Sequence, residues 1–432
     1  MKQDASLQQV GESFLIEMHN QATTLSSQSN GLVNINLWFE EYITKVEYFS
    51  HREQIETLVK VINDYATDKV SLNVLQWYLE TQFAIHKEKE FFEGLKLSNT
   101  ECMKQYSEKS QASPKISVII TTYNRKQFLK QAVNSVLKQN YSNKEIIIID
   151  DCSTDGTEFL VQKYFGNDDQ RVIYMRNKVN CGPGANRRRA FAAHADGTYI
   201  HFLDDDDYLI DPDYYTKAIH FHEKYPQISF VAANVFMEHT DTQKLVISDL
   251  GLNELIPRYQ YFINFEQAGF PKPISTLTTI FKRQALIDMG ILEMNMVNDA
   301  SIYLRSLLVG DAGFIDCLAG VYRIHSNNIT FHLSGDFIIE NLKEKMAIRN
   351  TAIKDHGYNA QEMNKWFDEN AYGTISYYLS NSAKSYRDYK YMYEWVKKHS
   401  PKGYSLLKKK HNKIYIKRQL LRLSIVRKLL KK

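Results

Sequence analysis

The 432 residues contain only four cysteines, Cys102, Cys152, Cys181 and Cys317, far apart and with no C-x-x-C pair. That scatter argues against a disulfide scaffold or a zinc site and fits a reducing compartment. Glycine (18) and proline (8) are also scarce, which disfavours a turn-dense all-β architecture. No apolar run approaches the ~18 residues that a membrane-crossing helix needs. The first residues, MKQDASLQQVGESF, carry early acids and lack the apolar stretch of a secretory signal. These absences predict a cytoplasmic chain, soluble or held on a membrane surface. Acids themselves are missing from one region. Residues 402–432 hold 12 Lys/Arg and no Asp/Glu, whereas residues 1–113 hold 16 acidic against 10 basic side chains, within a net charge of +4. The asymmetry says more than the total.

Hydrophobic residues at 44% and charged residues at 24% are ordinary globular values. Tyrosine (28) and phenylalanine (22) are plentiful, which suits stacking on bases and sugars and equally suits a ring-rich core. Residues 1–30 are polar and Gln/Ser-rich and read as a frayed end. Trp38, Tyr42, Val46 and Phe49 then recur at helical spacing, and Leu72, Leu75, Tyr78, Phe83 and Ile85 suggest a second helix. The polar stretch 98–114 reads as a linker.

Beyond it the texture changes. KISVIITTYN (115–124), NKEIIIIDD (143–151), RVIYMRN (171–177) and GTYIHFLDDDD (197–207) are short apolar runs with helical stretches between them. Continuously apolar strands alternating with helices predict an α/β fold whose parallel sheet is covered on both faces. Ligands bind such sheets beyond the carboxyl ends of the strands. The polar residues there are Thr121, Tyr123, Asp150, Asp151 and Asp204 to Asp207.

Four consecutive carboxylates at 204–207 repel one another unless cations neutralise them, and oxygen-only donors favour a hard ion such as Mg²⁺ or Mn²⁺. An acidic turn or helix cap is the plainer reading; the position at a strand end favours the ion. In IIIIDDCSTDGT (146–157) a carboxylate can accept the imide N–H of uracil or a ribose hydroxyl, or Asp155 simply caps a helix. In NKVNCGPGANRRR (177–189), Gly182 and Gly184 permit a tight turn, and Arg187, Arg188 and Arg189 open a helix where cations need an anion nearby. A solvated helix face explains the triplet as well.

In this order the segments resemble an inverting glycosyltransferase of family 2 with the GT-A fold. The carrying residues are ISVIITTYNR (116–125), EIIIIDDCSTDGT (145–157), Asn180, Gly182 and Arg187, YIHFLDDDD (199–207) and YRIHSNNIT (322–330). The likeness covers roughly 114–332, about half the chain. It implies a nucleotide-sugar donor, held by Thr121, Tyr123, Asn124, Arg125, Asp150, Asp151, Arg187, Asp204 and Asp205. It implies a Mn²⁺ or Mg²⁺ ion at Asp206, Asp207 and His325, with Asp204 and Asp206 matching a DxD pair. The base that deprotonates the acceptor hydroxyl is usually the Asp of a Glu-Asp pair opening a helix. VNDASIYLR (297–305) offers Asp299, with Asn298 where Glu is common, and Asp299 as a plain helix-start acid is the alternative. The implied organisation is a helical extension and linker (1–113), a GT-A domain (114–335), a helical region (336–401) and a basic tail (402–432).

The tail, residues 408–432, interleaves Lys/Arg with nine Ile, Leu and Val residues. As a helix it would be cationic and amphipathic, suited to an anionic bilayer on the inner face of the plasma membrane. A solvated helix remains open, and a nucleic-acid arm is disfavoured. A membrane-surface enzyme suggests a saccharide or lipid-linked acceptor, as in bacterial surface polysaccharide assembly. Two competing readings stand beside this one: a sugar nucleotidyltransferase, and a non-catalytic sugar-binding or scaffold protein with a transferase-like core.

Overall fold

The computed structural model describes residues 6–25, 51–93, 113–166, 171–294, 296–326, 328, 334–383 and 385–422. The chain divides into two compact units. The first is Met1–Leu255 with Lys272–Gln284 and Gly313–Ile324, and the second is Ile256–Pro271 with Ala285–Ala312 and His325–Lys432. They cut across the sequential division at 113, 335 and 401.

The first unit is built on one mixed sheet. Its strands are β1 (Ile116–Thr122), β2 (Lys144–Asp150), β3 (Val172–Arg176), β4 (Tyr199–Asp204), β5 (Tyr208–Leu209), β6 (Ile228–His239), β7 (Lys244–Ser248), β8 (Leu255–Ile256), β9 (Ile280–Lys282) and β10 (Asp311–Ile324). The order is β3-β2-β1-β4-β9-β6-β10-β5, with β7 on β6 and β8 on β10. The pairs β1–β2, β1–β4 and β2–β3 are parallel, whereas β9 runs antiparallel to both β4 and β6.

Both faces of the parallel half are covered, so its strands need no polar alternation. Ile116, Val118 and Ile120 of β1 share a core with Leu129, Val133 and Val136 of the helix Lys126–Leu137 and with Leu160 and Phe165 of the helix Thr157–Phe165. The helix Pro183–Ala193, with buried Ala190 and Phe191, also packs on β1.

The antiparallel half is covered by the chain's own N-terminal helices. Tyr208, Phe236, Leu245, Leu318 and Val321 form one cluster with residues of Leu7–Leu25, Arg52–Ala66 and Leu72–Phe83. The expectation of a frayed 1–30 is therefore corrected. Val10, Phe14, Leu15 and Met18 lie on one side of a helix and are buried; four apolar positions at helical spacing outweigh a polar average. The stripe Trp38, Tyr42, Val46 and Phe49 lies outside the described residues. The helix expected from Leu72 ends at Ala84, whose left-handed backbone (φ 52°) turns the chain so that Ile85 is still buried.

The second unit is helical. Gly335–Lys354, Ala360–Asn381 and Tyr386–His399 start on Ser334, Asn359 and Ser385, whose side chains accept from backbone N–H groups of the first turn. The last helix, Pro401–Arg422, takes in the start of the basic tail. Leu407 and His411 are fully buried, and His411 Nε2 lies 2.8 Å from Ser376 Oγ. The first turns of the tail thus belong to the helical packing. Among the described residues no helix is long and apolar enough to cross a membrane.

Candidate active site

The parallel register brings the expected residues of the first unit to one edge. Thr122 stands opposite Asp150, Thr121 opposite Asp204, and Asp150 opposite Arg176. The loops leaving β1 and β2 both pass through the left-handed region, at Asn124 (φ 54°) and Cys152 (φ 69°). They are stitched together by hydrogen bonds. Asn124 N–H donates to Ser153 Oγ at 2.8 Å, its side-chain oxygen accepts from Thr154 N–H at 2.7 Å, and Lys126 N–H donates to Asp155 at 3.1 Å. Tyr123, at the tip between them, is 49% exposed and offers a free ring face.

The two acids ending β2 are committed inward. Asp150 is fully buried and accepts from Ser153 N–H at 2.8 Å and Tyr174 O–H at 2.6 Å. Asp151 accepts from Asn177 Nδ2, Cys181 N–H and Gly182 N–H, each at 2.8 Å. Burial pushes the Asp151 carboxyl up, but the donors from Cys181, Asn177 and Gly182 outweigh it and hold it below the usual carboxylate range. Asp151 is thus an anion at the start of the helix Pro183–Ala193, where it complements the helix dipole; the arginines expected to open this helix lie in its middle, and Arg187 pairs with Asp204 instead. Gly182 N–H can reach it because that residue adopts φ 81°, a conformation open to glycine.

The 204–207 cluster is the electrostatic centre. Arg187, buried on the helix Pro183–Ala193, donates to Asp204 at 2.7 Å. Arg125 donates to Asp205 at 3.1 Å and to Asp206 at 2.7 Å, and Thr122 Oγ1 donates to Asp205 at 2.7 Å. Burial, reinforced by the adjacent Asp206, raises the Asp205 carboxyl to about 7 against the pull of Arg125 and Thr122. Asp207 accepts from Arg323 N–H at 3.0 Å and Ser275 Oγ at 3.4 Å. The charge that asks for a metal in the sequence is met in part by arginines. Within the 204–207 cluster Asp204 keeps the most open carboxylate, at 33% exposure.

Reading the sequence overlooked Arg323, two residues before His325. Its guanidinium, buried under Phe128 and Tyr208, donates to Asp206 O at 2.7 Å, Glu238 at 2.9 Å and Gln131 at 2.6 Å. With its own N–H on Asp207 it braces the acidic loop from behind. The only signal was its place inside YRIHSNNIT.

Asp299 and His325 belong to the second unit. Asp299 opens the helix Asp299–Val309, whose N-cap Asn298 accepts from Ser301 N–H at 2.9 Å. His325 donates its N–H to Asn328 Oδ1 at 2.6 Å. Among the described residues no group of three or more His, Cys, Asp or Glu is arranged to hold a metal ion. Divalent cations at diphosphate sites commonly take one or two carboxylates plus substrate phosphates. Of the cluster, Asp204 is a third exposed, Asp206 is held by Arg125, and Asp207 accepts from the Arg323 backbone N–H.

Acids, an exposed aromatic ring and paired arginines thus gather at the carboxyl edge of the parallel strands. Residues 117–290 match Glycosyl transferase family 2, and the chain carries a glycosyltransferase domain of that family. The UDP-Glc:alpha-D-GlcNAc-diphosphoundecaprenol beta-1,3-glucosyltransferase WfaP of Escherichia coli is 28% identical over 56% of this chain and 88% of its own length. The putative colanic acid biosynthesis glycosyl transferase WcaA of E. coli K12 is 45% identical over 22% of this chain and 33% of its own. The chain spans about a third of the length of the first curated relatives it matches. A crystal structure of Staphylococcus aureus TarS 1–349 with UDP-GlcNAc aligns over 67% of this chain and 82% of its own, with TM-score 0.52 and 18% identity. That likeness establishes the GT-A-like fold.

Proposed function

We propose that the protein transfers a sugar from a nucleotide-sugar, a UDP-sugar first among candidates, to a hydroxyl of a glycan or lipid-linked saccharide in surface polysaccharide synthesis, with inversion at the anomeric carbon. One observation carries the reading: Asp204 to Asp207, Arg125, Arg187 and Tyr123 meet on the loops that follow parallel strands β1 and β4 and on the adjoining helix Pro183–Ala193. The names of the relatives, a UDP-glucose-dependent enzyme and a UDP-GlcNAc complex, support the choice of donor.

In this reading Tyr123 stacks on the base, Thr121 and the Asn124 loop line it, and Asp150 and Asp151 shape the nucleotide loops from within. Asp204 and Asp205 lie toward the ribose and phosphates, where Arg125 and Arg187 supply positive charge. A Mn²⁺ or Mg²⁺ ion held through Asp204 and Asp206 would neutralise charge on the diphosphate. Asp299 takes the proton from the acceptor hydroxyl. The acceptor oxygen bonds to the anomeric carbon on the face opposite the diphosphate, and the bond to the diphosphate oxygen breaks, carrying its electron pair onto the leaving nucleotide. The exposed Lys408, Lys409 and Lys410 would contribute to binding an anionic membrane surface.

The test is nucleotide release from a panel of UDP-, GDP- and dTDP-sugars with Mn²⁺ and a saccharide acceptor, with product anomers read by NMR. Release with inversion is expected. Turnover confined to sugar 1-phosphate and nucleotide triphosphate would redirect the reading to a nucleotidyltransferase, and no turnover at all to a sugar-binding protein. Asp299→Asn should lower turnover by about 10²–10⁴-fold with donor affinity nearly unchanged.

A further inference from the structure

We propose that Glu344 is a positioning residue that fixes the helix start carrying Asp299; the inference rests on the reading of Asp299 as the base. Glu344 lies on the helix Gly335–Lys354 and its side chain has no solvent exposure. Burying a carboxylate is costly unless both oxygens find donors. Here one oxygen accepts from Arg305 Nε at 2.5 Å and the other from Met296 N–H at 3.3 Å. The two donors bracket Asp299, one three residues before it and the other six residues after it.

The segment between them is held at each step. Val297 is buried, Asn298 caps the helix on Ser301 N–H, and Asn298 Nδ2 lies 3.1 Å from Met296 Sδ. Arg305 closes the loop by donating its Nη1 to Met289 O at 3.3 Å. Glu344 thus sets both the height of the first turn and the approach of the chain that enters it.

Simple docking of two helices does not call for this arrangement. A buried ion pair often contributes no more to stability than well-packed apolar residues of similar volume. The next residue, Lys345, already anchors the same helix elsewhere, on Glu266 at 2.8 Å and Asn370 at 3.1 Å. What Glu344 adds is a directional hold on a backbone N–H and an arginine on either side of one acid. A base misplaced by about 1 Å can lose about 10²-fold in rate, so such a hold has a catalytic use.

The experiment is a double-mutant cycle on the full-length chain, with UDP-GlcNAc and then the donor giving most nucleotide release, in Mn²⁺. Glu344→Gln places an amide N–H against one of its two donors. It should lower turnover about 10- to 100-fold while donor KM moves less than about twofold. In the Asp299→Asn background the same change should alter residual turnover less than about twofold, because its target is gone. Glu344→Asp, which keeps the charge and shortens the reach, should fall between parent and Glu344→Gln, and it carries the test should Glu344→Gln not fold. An equal loss in both backgrounds, or a loss shared by donor KM, would make Glu344 a structural residue and overturn the proposal. Near-parental turnover of Asp299→Asn alone would remove the base assignment, and with it this inference, while leaving the donor site standing.

Discussion

Replacing Arg323 by Met keeps its length and removes its charge, and the consequence can be worked from its contacts. The guanidinium holds Asp206 O, Glu238 and Gln131 between the rings of Phe128 and Tyr208. Its own side chain is 7% exposed and that of Glu238 19%. Removing one partner of a buried pair costs about 3–5 kcal/mol, most of it from the charge left behind. The partial exposure of Glu238 puts the expectation toward the lower end, about 3 kcal/mol. Arg323 N–H stays on Asp207 in the variant, so the defect should centre on the far side of the acidic loop.

Hydrogen exchange of the amides at 204–210 reads this locally, without requiring the two units to unfold together. A loss of about 3 kcal/mol corresponds to a protection loss of about 100-fold. Calorimetric titration with UDP and Mn²⁺ should show weaker binding in parallel. Adding Glu238→Gln removes the stranded charge and should recover part of the protection, but not the UDP affinity, because the brace on Asp206 O is still missing. Protection within about fivefold of the parent, with UDP binding intact, would show that the acidic loop does not depend on Arg323.

Three other outcomes follow from the same structure. UDP should bind much more weakly in EDTA than in Mn²⁺, and Asp206→Asn should abolish that difference; equal affinity with and without metal in the parent would remove the metal-dependent reading. Asp64 lines a cavity of about 200 Å³ with Lys60, Lys69, Asn234, Asp249 and Asp316, and burial raises its carboxyl to about 6 against the pull of both lysines. The folded state therefore holds this proton more tightly than the unfolded chain, a stabilisation present below pH 4 and lost as pH rises through 6; Asp64→Asn should gain in melting temperature over the parent at pH 7.5 and not at pH 4, and a pH-independent difference would refute it. Deleting 412–432 should release the protein from anionic vesicles at matched salt while sparing the packed Leu407 and His411; undiminished vesicle binding would show that the remaining chain is the anchor.

The parallel half of the sheet was legible in the sequence because its strands are buried on both faces, so that ISVIITT and EIIIID show as unbroken apolar runs. The antiparallel half was not. β9 has three residues, and β6 and β10 are long strands whose covering comes from helices at the other end of the chain. No local period announces pairings such as Phe230 with Phe281 or Leu209 with Gly320, or a cover supplied by helices near the start of the chain. The helix Leu7–Leu25 was hidden by its polar surface, although the four residues that bury it were in view.

At the candidate site the sequence displayed the type of each polar residue but not what each is committed to. Asp150 and Asp204 end neighbouring strands and look equivalent as letters. In the fold Asp150 is enclosed by Ser153, Tyr174 and, at 3.7 Å, Arg176, with no exposure, while Asp204 holds one arginine and keeps a third of its side chain open. The difference arises from β3, which lies on the Asp150 side and delivers Arg176 opposite it, whereas β4 has the short antiparallel β9 as its outer neighbour, paired only at the far end. Sheet order therefore decides which acid is structural and which can meet a ligand. That order is set by crossovers and by a strand contributed after residue 279, which no motif centred on 204–207 contains. The same holds for Arg323, placed behind Asp206 by β10 more than a hundred residues later. Motifs can locate a site of this kind; the division of labour within it follows from long-range pairing.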